Sequence, residues 1–77
     1  MTTLVYGLGE SGIAATRVLL TRGEKVMVAD DRDDDRLRSL IDNLGVEGHP
    51  GAGPEVLEDA DRLVASPGIR PSHPVLR

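Results

Sequence analysis

The sequence has no cysteine, tryptophan or phenylalanine, and its single aromatic residue is Tyr6. Without cysteine there is neither a disulfide framework nor a thiolate metal site. With one aromatic ring, the core must be built from Leu, Val, Ile and Ala, which suits tightly packed α/β layers. Long apolar runs are missing as well. Leu4-Val5-Tyr6 passes straight into glycine, too short for the apolar part of a signal peptide or for a membrane span, so the default expectation is a cytoplasmic protein that does not enter a membrane. Positive charge is also scarce: nine Lys and Arg stand against thirteen Asp and Glu, for a net charge of -4. Nucleic-acid binding needs a basic footprint, and none is present. At 77 residues the chain is short for a domain, and a chain of this size buries only about 60% of its unfolded surface. The closing Pro71-Ser72-His73-Pro74-Val75-Leu76-Arg77 carries no helix cap and no polar tail, which leads us to expect a fragment of a longer chain.

What is present alternates between strand-like and helix-like segments. Leu4-Val5-Tyr6 reads as a short buried strand. Residues 11–22 are good helix formers, with Gly23 placed as the stop. Ala14, Ala15, Val18 and Leu19 fall on one arc of that helix and are expected to face the core. Lys25-Val26-Met27-Val28-Ala29 is nearly continuous in apolar residues, as in a parallel strand covered on both faces. Leu37, Leu40, Ile41 and Leu44 then mark a second helix at i, i+3, i+4 and i+7, stopped by Gly45. Residues 46–54 hold three Gly and two Pro and read as loop, with at most a brief strand near Val46. A helical turn follows from Pro54, and Arg62-Leu63-Val64-Ala65-Ser66 is a further buried strand ended by Pro67-Gly68. Strands alternating with helices predict an α/β fold, a Rossmann-like parallel sheet with flanking helices.

One motif carries chemistry. Gly7-Leu8-Gly9-Glu10-Ser11-Gly12 fits G-x-G-x-x-G, a weak pattern alone. Here it follows a predicted strand, opens a predicted helix, and is followed roughly 20 residues on by Asp30 at the end of the next strand, the context of a dinucleotide fingerprint. Gly7 permits the tight turn, Gly9 lets backbone approach a diphosphate, and Gly12 lets the helix pack close to the strand. The N–H groups that open the helix face the anion. Glu10 is the wrong sign beside a diphosphate and is expected to point away or be screened.

Asp30-Asp31-Arg32 follows the second strand, where Asp30 is placed to accept from a ribose hydroxyl. Asp33, Asp34 and Asp35 suit a helix N-terminus better than a metal site, since adjacent carboxylates on one turn cannot all converge on one ion. Ser66-Pro67-Gly68-Ile69 ends a buried strand, where open α/β sheets bind ligands; the residues themselves are equally consistent with a plain turn. His49 and His73 lack Cys, His or acidic partners at ligand spacing and read as surface loop residues. No G-x-x-x-x-G-K-[ST] phosphate loop and no nucleophile–base or metal-ligand set can be assembled, so the stretch binds and does not react.

Three segments in order resemble one family: Val5-Tyr6-Gly7-Leu8-Gly9-Glu10-Ser11-Gly12-Ile13-Ala14, then Val28-Ala29-Asp30-Asp31-Arg32, then Ala60-Asp61-Arg62-Leu63-Val64-Ala65-Ser66-Pro67-Gly68-Ile69 with His73-Pro74 behind it. Together they look like the amino-terminal domain of the Mur ligases that add D-glutamate to UDP-N-acetylmuramoyl-L-alanine. The resemblance spans essentially the entire chain, and its Ser-Pro-Gly-Ile run is more specific than the glycine motif. It implies that residues 1–77 are the first of three domains and hold the UDP part of the substrate. A central domain would bind ATP and Mg2+, and a third would help hold D-glutamate. The family's reaction phosphorylates the substrate carboxylate, and the amino group of D-glutamate attacks the acyl phosphate to form an amide, as part of peptidoglycan synthesis.

Carried over by position, the backbone around Gly9, Glu10, Ser11 and Gly12, with the Ser11 hydroxyl, would meet the diphosphate. Asp30, Asp31 and Arg32 would meet the uracil and its ribose. Ser66, Pro67 and Gly68 would line the mouth of the uridine pocket. The family's domain continues past His73-Pro74 with a further helix and strand, so residues 1–77 alone are expected to bind UDP more weakly and to have no ligase activity. Two other readings stay open on the glycine motif and Asp30: the NAD-binding domain of a dehydrogenase, and a regulatory nucleotide-sensing module.

Overall fold

Residues 1–65 are described by the computed structural model of the protein. Along them run β1 (Thr2–Tyr6), α1 (Glu10–Thr21), β2 (Lys25–Asp30), α2 (Asp35–Leu44), β3 (Glu47–Pro50), a 3-10 helix (Pro54–Asp59) and β4 (Arg62–Ala65). All the pairings are parallel and the strand order is β3-β2-β1-β4, the α/β Rossmann-like arrangement expected from the alternation of elements. The chain steps outward from β1 to β3 and then crosses back to place β4 on the other side of β1. That makes the carboxyl end of β1 a topological switch point, where open α/β sheets bind their ligands.

The near-continuous apolar runs of β1 and β2 follow from burial on both faces. Val5, Val26 and Val28 point to one side and meet Leu37 and Ile41 of α2, with Leu19 of α1 packed against them. Leu4, Tyr6, Met27 and Ala29 point to the other side, where Val56 and Leu57 of the 3-10 helix and Leu63 of β4 cover them. Among the described residues, one face of the sheet thus carries both α-helices and the other only the 3-10 helix. The α2 stripe read from the sequence is the buried one, with Leu37 3% and Ile41 7% exposed, and α2 ends at Gly45 as expected.

The expected face of α1 is corrected. The face of α1 that sinks deepest is Gly12 and Thr16, whereas Ala14 is exposed and Val18 is 52% exposed. A Cβ on Gly12 would lie 1.9 Å from the carbonyl oxygen of Gly7, so the helix backbone rests directly on the turn before it. That contact sets the rotation of α1 in place of its apolar arc. Thr16, one turn on, can be buried because its hydroxyl donates to the Gly12 carbonyl at 2.8 Å. The brief strand expected near Val46 is β3, with Met27 to Asp30 in register with Glu47 to Pro50. Gly48 makes this possible: a Cβ there would meet Ile41 Cγ2 at 2.4 Å, so glycine lets α2 lie against β3. His49 is therefore a strand residue, and its Nε2 lies 2.7 Å from Glu47 Oε2. Its acidic partner sits two residues back because side chains i and i+2 share one face of a strand.

At the amino end of the sheet polar contacts secure β4 beside β1. Thr2 N–H donates to Asp61 Oδ2 at 2.7 Å, and Asp61 N–H donates to the Thr2 carbonyl at 2.8 Å. Arg62 donates to Thr3 Oγ1 and pairs with Glu24. Among the described residues no helix is long and apolar enough to cross a membrane. Ser66, Pro67, Gly68 and His73 lie outside the described residues.

Candidate functional site

The carboxyl ends of β1 and β2 open into a cleft of about 330 Å³, lined by Leu8, Gly9, Glu10 and Ile13 on one wall and by Arg32, Asp34, Arg36, Leu37 and Leu40 on the other. That volume lies at the lower end of small-molecule sites. The first wall is the glycine motif. Gly7, with φ 94°, turns the chain out of β1, and its N–H donates to the Ala29 carbonyl at 2.9 Å. Gly9 is the N-cap of α1 and offers no side chain to cap it. The Ile13 N–H donates back to the Gly9 carbonyl at 3.0 Å, so the N–H groups of Glu10, Ser11 and Gly12 precede the helical ladder and have no acceptor within the helix. A Cβ built at Gly9 would meet nothing within 4 Å, so the approach to these donors is open. Ser11 is exposed on the same turn. Glu10 is exposed and contributes to the cleft lining.

The second wall is organised by Asp30, which is 6% exposed. Its Oδ2 accepts from Leu8 N–H at 2.7 Å and from Arg32 Nη2 at 2.9 Å. Its Oδ1 accepts from Arg32 N–H at 2.9 Å and from Arg32 Nε at 3.0 Å. Four donors match the four lone-pair positions of a carboxylate, and the guanidinium engages it as a two-pronged fork. Arg32 Nη2 also reaches the Leu8 carbonyl at 3.3 Å. Asp30 therefore latches the glycine loop to the segment after β2. Burial works against its negative charge, but the hydrogen bonds from Arg32 and Leu8 and the charge of Arg32 outweigh it and hold the carboxyl below the ordinary carboxylate range.

Asp31 takes a different direction. Its Oδ1 lies 2.5 Å from the Tyr6 hydroxyl, which also sits 2.6 Å from the Ala52 carbonyl. This ties the end of β1 to the loops after β2 and β3. Burial, then the hydrogen bond and charge of Asp31, push the Tyr6 phenol well above its ordinary range. Asp34 caps α2 by accepting from Leu37 N–H at 2.8 Å, and Asp33 pairs with Arg38 through contacts of 2.8 and 3.1 Å. The aspartate run is thus a helix start, as its spacing indicated.

Of the residues singled out in the sequence, Gly9, Glu10 and Arg32 line the cleft, Gly12 and Asp30 support it from behind, and Asp31 is turned toward Tyr6. The lining contributed by Arg36, Leu37, Leu40 and Ile13 was not foreseen. It depends on where α2 lies over the sheet, which no local motif encodes; the i, i+3 spacing of Leu37 and Leu40 was the available signal. Among the described residues no group of three or more His, Asp or Glu could hold a metal ion. The cleft thus brings together the uncapped N–H groups of the α1 start, the Arg32 guanidinium held by Asp30, and the apolar side chains of Leu8, Ile13, Leu37 and Leu40.

Residues 1–77 match the family described as Mur ligase MurD-like, N-terminal domain. The chain is 60% identical over 75 residues to the UDP-N-acetylmuramoylalanine--D-glutamate ligase of Rubrobacter xylanophilus, which covers 97% of this chain and 17% of that protein. The ligase of the same name from Syntrophus aciditrophicus is 38% identical over 80 residues, covering 96% of this chain and 17% of the relative. That from Frankia casuarinae is 40% identical over 76 residues, covering 95% and 16%. The chain therefore spans about a sixth of the length of these relatives.

Proposed function

The chain belongs to the family of MurD-like Mur ligase N-terminal domains, and we propose that it holds the UDP end of UDP-N-acetylmuramoyl-L-alanine in the ATP-dependent ligase that adds D-glutamate to it. The observation that carries this reading is the uncapped start of α1, at the switch point of the sheet and beside the Asp30–Arg32 latch. Helix N-termini of this kind attract phosphate through their free N–H groups and the helix dipole.

In this reading the N–H groups of Glu10, Ser11 and Gly12 receive the diphosphate where Gly9 leaves the approach clear, and the Ser11 hydroxyl assists. Arg32 meets the uracil or its ribose, and Asp31 lies at the border of that subsite. Asp30 acts through Arg32 and Leu8, because its own acceptor positions are already filled. Ser66, Pro67 and Gly68 keep the role given by the resemblance, at the mouth of the uridine pocket. In this reading ATP and Mg2+ are not held by residues 1–77, whose sequence has no phosphate loop. Those ligands belong to other domains of the ligase, so residues 1–77 bind and orient substrate without ligase activity of their own.

Calorimetric titration of the intact protein with UDP, UDP-N-acetylmuramoyl-L-alanine and NADH tests the reading. Saturable binding of both uridine ligands, with NADH much weaker, is expected. Saturable NADH binding with no response to UDP would overturn the reading in favour of the dehydrogenase alternative, which the named relatives do not favour.

A further inference from the structure

We infer that Arg36 is the side chain that takes up the negative charge of the ligand's phosphates, an inference that rests on the nucleotide-binding reading above. Arg36 is the second residue of α2 and lines the cleft on the wall opposite Gly9 and Glu10. The side chains around the cleft are not rich in positive charge. Glu10 and Asp34 line it together with Arg32 and Arg36, and Asp30 stands directly behind Arg32. An anion entering here meets more carboxylates than guanidiniums.

The two guanidiniums are not equivalent. Arg32 has its Nε and both Nη2 donor positions engaged by Asp30 and Leu8, and the Asp30 carboxylate cancels its charge locally. Arg36 is exposed and makes no hydrogen bond or ion pair among the described residues. It is the unengaged cation of this cleft, with all five donors available in the planar fork that matches phosphate oxygens. Arg38, two residues on, shows the contrast: its guanidinium is already committed to Asp33. A free guanidinium opposite an uncapped helix start gives a diphosphate donors from two sides.

The test compares UDP with uridine on the intact protein, for the wild type and for Arg36→Gln and Arg36→Lys, each at low and moderate salt. Because Arg36 is exposed and unpaired, thermal unfolding of the variants is expected to match wild type. UDP affinity is expected to fall about tenfold or more in Arg36→Gln, as for loss of a charge-assisted contact, with a weaker dependence on salt. Uridine affinity should change less than twofold, and Arg36→Lys should recover part of the loss. Equal losses for uridine and UDP would reassign Arg36 to the base and overturn the inference. Unchanged UDP affinity in Arg36→Gln would overturn it while leaving the nucleotide-binding reading intact. Failure of wild type to bind UDP at all would remove both.

Discussion

The two α-helices start at the same end of the sheet and in opposite ways. At α2 the chain spends a side chain on closure: Asp34 caps Leu37 N–H at 2.8 Å, and Asp33 holds Arg38 beside it. At α1 the N-cap is Gly9, with no side-chain cap, and only the acid Glu10 in its first turn complements the dipole. Both helices begin with donors that the helix itself cannot satisfy. One end solves the problem internally and is finished as structure. The other leaves its donors without a side-chain cap, and it is the end that sits at the switch point. Five charged residues in a row before α2, Asp30 to Asp34, against a glycine-rich run before α1, show that the difference is written into composition.

The comparison can be broken or sharpened by substitution, and the largest effect is expected at Gly12. A helical Gly→Ala change ordinarily stabilises by about 0.5–1 kcal/mol. Gly12→Ala should instead destabilise by about 3 kcal/mol, the upper part of the range for overpacking, because the new Cβ would strike the Gly7 carbonyl. Denaturant unfolding reads the sign directly, and a stabilised variant would mean that α1 does not rest on its own entry turn.

Asp30→Asn comes next, with an expected loss of about 2 kcal/mol at neutral pH as charged hydrogen bonds are replaced by weaker ones. Its pH dependence is diagnostic. A carboxyl held below its ordinary range contributes stability that is present above the unfolded pKa, about 3.9 for Asp, and is lost as pH falls through the folded value. Wild type should therefore lose stability below about pH 4 more steeply than Asp30→Asn, with the two unfolding curves converging in acid.

Gly9→Asp addresses the open end itself. Supplying a cap should raise stability by a few tenths of a kcal/mol, while UDP affinity drops at least about tenfold because the donors are consumed and a negative charge is added. Asp34→Ala, the mirror experiment at the closed end, should cost about 1 kcal/mol of stability in thermal or denaturant unfolding. The last effect is confined to alkali. The Tyr6 phenol is held above its ordinary range in the folded state, so its stabilisation is complete below the unfolded pKa of about 10 and erodes as pH rises beyond it. Tyrosinate absorbance from this single tyrosine should then appear together with unfolding, and Tyr6→Phe should remove the coupling.

The parts of the fold that were legible in the sequence are those fixed by local chemistry. The glycine motif, the apolar run of β2, and the stripe of Leu37 and Ile41 each declare their element and its buried face. β3 was legible only as a brief strand near Val46, because Glu47, Gly48, His49 and Pro50 have little intrinsic strand preference; pairing with β2 and the seat that Gly48 gives Ile41 make the strand. The face of α1 was misread for a related reason: a backbone contact at Gly12 outweighed the apolar arc of Ala14 and Val18. At the candidate site, Asp30 stood out in the sequence, but the direction of its hydrogen bonds did not. An acceptor for a ligand and a latch filled by Leu8 and Arg32 have the same sequence, and only the packed loop distinguishes them. Arg36 was silent because its place in the cleft comes from the seating of α2.

The open start of α1 is most directly tested by following the amide resonances of the intact protein while UDP is added. Saturable shifts at Glu10, Ser11 and Gly12, lost in Gly9→Asp under the same conditions, are the predicted result. Saturable UDP binding that leaves those three amides unmoved would contradict the account and require the diphosphate to sit elsewhere.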